Sequence, residues 1–146
     1  MNWILYHNIT EFEPAHLYEV LKLRQDIFII EQNCIYDDID GLDYDSAHLL
    51  LHGDDDTLIG YLRLVPAGKK FDELSLGRIA IKKEYRGKGY GKNLIKKGLA
   101  IAKKWGETSI RIEAQAHLVN YYANLGFKTN SETYDVDGIP HIQMMV

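Results

Sequence analysis

The sequence predicts an α+β protein built on a mixed β-sheet with α/β/α layering. Three observations lead there. An apolar strand pattern ending at Ile81 runs into a glycine loop, then a basic helix pattern, then a second strand through Ile112. Such a crossover is right-handed and makes its two strands parallel. The remaining strand patterns are joined by short turns, which pair strands antiparallel. Only one crossover unit is present, whereas a doubly wound parallel sheet needs several.

The elements follow in order. Residues 15–32 carry Leu17, Val20, Leu21, Arg24, Ile27, Phe28 and Glu31 at three- and four-residue spacings, the period of a helix. Residues 33–46 form an acidic loop around Asp40-Gly41. His48–His52 reads as a strand, 53–57 as a turn and Leu58–Val65 as a second strand broken by Pro66-Ala67-Gly68. Leu74–Ile81 is a third, completing an antiparallel meander. Tyr90–Trp105 is an amphipathic helix ended by Gly106. Ser109–Ala114 is rich in β-branched residues, as strands are. Leu118–Leu125 is a short helix closed by Gly126, and 127–135 with 139–145 make a final hairpin about Asp137-Gly138.

The bulk numbers bound the class. The chain has 146 residues, 46% apolar and 26% charged, enough for one domain with its own core spanning residues 1–146. No run of 18 apolar residues exists, so no membrane partner is expected. Met1-Asn2-Trp3-Ile4 lacks the basic-then-apolar pattern of a secretory leader. Cys34 is the single cysteine, which rules out an internal disulfide and fits a reducing cytoplasm. The terminal hairpin is compatible with a monomer or a homodimer.

Charge is distributed unevenly. Glu31 to Asp56 holds nine acidic residues and no Lys or Arg; Lys82 to Lys104 holds nine basic residues and one acid, Glu84. The basic run coincides with glycines 87, 89 and 91. Glycines let backbone N–H groups converge, and a helix N-terminus adds positive potential, so the segment reads as a pyrophosphate cradle. Little aromatic interleaving argues against nucleic acid as its partner. A Walker A loop fails because Gly91-Lys92 precedes Asn93 rather than Ser or Thr. Gly-x-Gly-x-Gly partly imitates a dinucleotide fingerprint, with Glu113 near the place of a ribose-binding acid, but the other crossover units are missing. Six scattered histidines and one cysteine supply no apparent metal cluster, so no metal is expected.

Two motifs together resemble the GNAT superfamily of N-acetyltransferases. One is Arg86-Gly87-Lys88-Gly89-Tyr90-Gly91 on a strand–loop–helix; the other is Tyr122-Ala-Asn-Leu-Gly126-Phe127. Within it, the chain is similar to the ElaA-like subfamily through Glu31-Gln32-Asn33-Cys34, Asp38-Ile39-Asp40-Gly41, Ala114-Gln115-Ala116-His117-Leu118 and Gly138-Ile139-Pro140-His141-Ile142. The resemblance implies an acyl-CoA N-acyltransferase fold with a splayed central strand pair. It implies acetyl-CoA as cosubstrate and a small-molecule or peptide amine as acceptor. Backbone at Ile79, Ala80 and Ile81 would pair with the pantetheine arm, and Arg86, Gly87, Lys88, Gly89, Tyr90, Gly91 and Lys92 would surround the phosphates. Gln115 stands where the wider family usually has Asn, which leaves Asn120 as a substitute contact.

The chemistry implied is amine acylation. An alkyl amine with pKa ~10.4 is neutral in only about one molecule in 2,500 at pH 7, roughly 4.6 kcal/mol of barrier unless the site removes the proton. Glu31, Glu113, His117 and His141 are the base candidates, with Glu113 and His117 placed first. The resemblance makes Tyr122 the acid that protonates the leaving thiolate, and neighbouring Tyr121 the better core candidate. Glu31, Asp38, Asp40 and His141 are expected to face a cationic acceptor. A covalent route through Cys34 is disfavoured by its acidic neighbours. A non-catalytic acyl-CoA sensor is the alternative reading.

Overall fold

Ala47–His52 (β2) and Leu58–Val65 (β3) are buried along their whole length. Strands buried on both faces need cover on both sides. In the computed structural model, which describes residues 1–146, Pro14–Arg24 (α1) covers one face. Its Val20 and Leu23 join Phe12, Leu50, Leu58, Tyr61 and Ala80 in one apolar cluster. Tyr90–Lys104 (α2) covers the other through Leu94, Ile95, Leu99 and Ala102, packed on Leu49, Leu62, Leu64 and Leu76. A Cβ at Gly98 of α2 would fall 2.4 Å from Leu62 Cδ2, so glycine lets this helix seat close to the sheet.

The sheet has eight strands. Asn2–Tyr6 (β1) forms one edge, followed by β2, β3, Leu74–Ile81 (β4), Ile110–Gln115 (β5), Ile139–Met145 (β8) and Lys128–Thr129 (β6); Tyr134–Val136 (β7) also pairs with β8. β4 and β5 run parallel and every other pair antiparallel, as the single crossover requires. Val119–Ala123 (α3) follows β5 after a turn of 3₁₀ helix. No helix is long and apolar enough to cross a membrane.

Three details depart from the sequence pattern. β1 adds an edge strand that its five residues, without clean alternation, do not announce. The helix expected over 15–32 is α-helical only to Arg24; Gln25–Glu31 widens into π-helix, with Gln32 N–H reaching back to Ile27 O at 3.1 Å. The terminal hairpin is present about Asp137-Gly138, whose φ values of 51° and 84° suit a two-residue turn, but its first strand is interrupted between β6 and β7.

The central pair β4–β5 is splayed. Only Leu74↔Ile110, Ser75↔Arg111 and Leu76↔Ile112 are paired. Beyond them β5 continues to Gln115 against β8, while β4 continues to Ile81 with β3 alone. A bulge bends β4 at this point: pairing passes from Arg63↔Gly77 to Tyr61↔Ala80, and Arg78 sits at φ 51°.

That bulge is tied to an ion-pair network. Arg24 of α1, 1% exposed, donates to Asp38 Oδ2 at 2.9 Å and Asp43 Oδ1 at 2.8 Å. Arg63 of β3 donates to Asp40 Oδ1 at 2.9 Å and Asp43 Oδ1 at 3.0 Å. Arg78 lies 2.8 Å from Asp38 Oδ1 and donates to Asp40 Oδ2 at 3.2 Å. Burial pushes the Asp40 carboxyl up, but hydrogen bonds from Arg63 and the Leu42 N–H outweigh it and hold it at about 2. Asp43 is likewise lowered, burial being outweighed by Arg24 and Arg63.

Two outcomes follow from this network. Asp43→Asn leaves two buried guanidinium groups short of a charge, so urea unfolding should show a loss of about 3–5 kcal/mol; a loss below 1 kcal/mol would mean the pairs are not coupled. Because the folded carboxyls titrate below their unfolded values, their contribution is complete above about pH 4 and disappears as pH falls toward 2. A melting profile against pH in the wild type should decline across that window.

Candidate functional site

The splay opens a cleft of about 730 Å³ between β4 and β5, extending to the start of α2. On the β4 side it is walled by Gly77, Ile79 and Ile81; Gly77 and Ile81 pair with β3, Ile79 lies in the bulge, and none of the three pairs with β5. Ala80 lies in the same segment, but its side chain turns into the opposite core with α1 and does not line the cleft. At the mouth, Gly87 and Gly89 have φ values of 76° and 84°, a conformation that glycine adopts without a Cβ penalty. The first N–H groups of α2 have no intrahelical acceptor, and its first turn carries no acid. Tyr90, Gly91 and Lys92 therefore open the helix toward the cavity they line.

Arg86 lines the cleft, yet its guanidinium is engaged. It donates to both Glu31 carboxylate oxygens at 2.7 and 2.9 Å and to Ile81 O at 3.1 Å. This pair sets Glu31 apart from a free acceptor-binding carboxylate; the hydrogen bond and charge of Arg86 hold it below its usual range. Lys88 sits over the Tyr85 ring and lies outside the cleft lining, as does Asn120. Gln115 does line the cleft and donates to Gln32 Oε1 at 3.2 Å.

The acidic loop corrects an expectation. Asp38 and Asp40 do not face the cavity; both are committed to Arg24, Arg63 and Arg78. Their charge is neutralised inside the protein, so no free carboxylate remains there for a cationic acceptor. The sequence shows the acids in a run but not the three arginines that fold onto them.

The tyrosine pair is also distributed otherwise than expected. Tyr121 is not core: it is 41% exposed, lines the cleft, and its hydroxyl would stand 3.0 Å from a Cβ at Gly91. Tyr122 belongs to the core, edge-on to Phe127 at 5.8 Å, and still reaches the cavity. Burial, with the neighbouring Tyr121, pushes its hydroxyl up to about 12, so it stays protonated.

Across from the glycine loop, Glu113 of β5 accepts from the Tyr134 hydroxyl at 2.6 Å and from Lys70 Nζ at 3.2 Å. Burial raises its carboxyl, but Tyr134 and Lys70 prevail and hold it below the usual range. His141 of β8 donates Nδ1–H to Ile139 O at 2.7 Å, which leaves Nε2 as the acceptor when the ring is neutral. His117, exposed, lines the same cavity. Cys34 donates its thiol to Asp137 O at 3.4 Å. Lys70 and Tyr134 went unread in the sequence because no motif marks them; Tyr134 is placed by the pairing of β7 with β8, and Lys70 by the turn before β4.

The comparisons agree with this geometry. Residues 26–146 match the family described as Acetyltransferase (GNAT) domain, and the chain belongs to that family. It is similar to Protein ElaA of Escherichia coli, with 37% identity over 92% of this chain and 90% of that protein. The crystal structure of that ElaA superposes with a TM-score of 0.89 over 99% of this chain and 97% of the other, at 35% identity. An acyl-CoA N-acyltransferase from Pseudomonas aeruginosa gives 0.91 at 36% identity over 99% and 97%. An aminoglycoside 6'-N-acetyltransferase complexed with coenzyme A shares the fold, with a TM-score of 0.72 at 14% identity over 98% and 96%.

Tyr134→Phe removes the strongest hydrogen bond to Glu113. The Glu113 carboxyl should then titrate closer to its ordinary value, seen as an upward-moving midpoint in carboxyl-carbon NMR. An unchanged midpoint would show that Lys70 alone sets it.

Proposed function

We propose that this protein transfers an acetyl group from acetyl-CoA to an amine by direct attack in a ternary complex. The observation that carries the reading is the three-residue limit of β4–β5 pairing, which leaves a one-sided backbone edge in line with the glycine loop and Tyr122. The pantetheine amides would pair with this edge at Ile79–Ile81 as an added strand. The pyrophosphate would rest on N–H groups of residues 87–92, with Lys92 beside it and Arg86 released from Glu31 or shared with it. A protein of the same fold, the aminoglycoside 6'-N-acetyltransferase, is described in complex with coenzyme A.

Each chemical task then has a group. The carbonyl oxygen gains charge on attack, and unpaired β4 N–H groups would stabilise it. Tyr122 protonates the departing thiolate. Glu113, ionised at neutral pH, attracts the ammonium form of the acceptor, and its proton leaves through water to His117 or His141. The acceptor is a small-molecule or peptide amine reaching the cleft from the β5–β8 side. The single free thiol suits a reducing cytoplasm.

Calorimetry with coenzyme A and initial rates with an amine panel test the reading. Tyr122→Phe should lower kcat by about 10²–10⁴ and leave coenzyme A binding unchanged. Intersecting initial-rate lines are expected; parallel lines would point to a covalent Cys34 intermediate, and no heat with coenzyme A would end the proposal.

A further inference from the structure

Away from the cleft, the fold brings together two histidines that are far apart in sequence. His16 of α1 and His52 at the end of β2 are 8% and 0% exposed, with ring centroids 4.7 Å apart. Both ring nitrogens of His52 are buried and neither has a hydrogen-bond partner. A neutral imidazole has one donor and one acceptor to satisfy, so a doubly orphaned ring is costly unless something else meets it. Asp56, in the turn after β2, brings its carboxylate to the same place. One ligand atom from each of His16, His52 and Asp56 lies within 4.8 Å of the others. None of these three residues lines the cleft.

We propose that His16, His52 and Asp56 bind one divalent cation of the zinc class, with Glu19 as the fourth ligand. Two imidazoles and carboxylates suit zinc and its borderline neighbours, whereas calcium and magnesium prefer all-oxygen shells. The Tyr6 hydroxyl is 2.7 Å from His16 Nδ1. It holds that nitrogen and leaves Nε2 for the metal, the outer-shell arrangement common to ligating histidines. Glu19 Oε2 is 3.9 Å from His52 Nε2, and its side chain is 41% exposed. Metal–ligand bonds near ~2.1 Å put tetrahedral ligand atoms roughly 3.4 Å apart. The ligand atoms of His16, His52 and Asp56, all within 4.8 Å of one another, would draw together on binding. The bound ion would join α1, the end of β2 and the following turn, with β1 engaged through Tyr6, so its role is structural.

Chelator-stripped protein titrated with zinc by calorimetry, and with cobalt(II) by visible absorption, tests this. Wild type should bind one equivalent, show tetrahedral cobalt bands and melt at a higher temperature with zinc. Asp56→Asn is the decisive variant: it is exposed, and Asn tolerates the φ of 61° that Asp56 adopts. It should weaken zinc by more than about tenfold, and Tyr6→Phe by about 10–100-fold. His52→Gln should abolish binding if it folds. Absence of stoichiometric binding by wild type overturns the proposal. So does equal affinity in wild type and Asp56→Asn, which would mean an adventitious site such as the terminal amine.

Discussion

The bend in β4 at Arg78 is the constraint from which the cleft follows. A non-glycine residue at positive φ costs of order 1–3 kcal/mol and persists only where its surroundings over-determine it. Here the surroundings are three arginines from three elements, α1, β3 and β4, converging on the carboxylates of one loop. Three positive and three negative groups cancel, so the network fixes position without leaving net charge. Buried ion pairs of this kind add little stability over apolar packing, and their clearest use is to specify one arrangement among several. An apolar substitute core would hold these elements together but would not hold Arg78 where β4 must turn from β5.

The same neutralisation governs the electrostatics of the surface. The acidic stretch looks in sequence like a counterpart to the basic helix, but much of it is spent internally. The basic run at the start of α2 is compensated mainly at Arg86, by Glu31 at the end of the π-helical turn. An anionic ligand at the glycine loop therefore meets free helix N–H groups and Lys92 first, and competes with one exposed carboxylate for Arg86. The widened turn after α1 thus bears on the site: by carrying Glu31 to Arg86, it couples the first helix to the loop that α2 begins from.

Local signals made the core of the fold legible. Glycines 87, 89 and 91, the amphipathic α2 and the apolar strands on either side each obey short-range rules, and together they force one parallel pair in an otherwise antiparallel sheet. What the sequence did not disclose depends on distant partners. β1 is a strand because β2 lies beside it. Asp38 and Asp40 are structural because Arg24, Arg63 and Arg78 find them. Tyr121 is exposed and Tyr122 in the core because successive residues of α3 point about 100° apart, and it is the Tyr122 ring that meets Phe127 while still reaching the cleft. His16 and His52 meet only once α1 is laid across the end of β2. Periodicity carries none of these relations.

The burial of Tyr122 bears directly on the proposed chemistry. A hydroxyl held at about 12 opposite a thiolate of pKa ~8.5 makes proton transfer uphill by roughly 5 kcal/mol on aqueous values. The comparison with water overstates the gap. The desolvation that raises the phenol also raises a thiol expelled into the same cleft, because both charged forms lose the same solvent. The two values move together, and the difference between them shrinks as the cosubstrate fills the cavity and excludes water. An acid placed at the rim would keep the lower pKa but meet a better-solvated leaving group. Packing Tyr122 against Phe127 keeps it protonated, and in the proposed reaction it would keep the proton transfer within the environment where the sulfur most needs it.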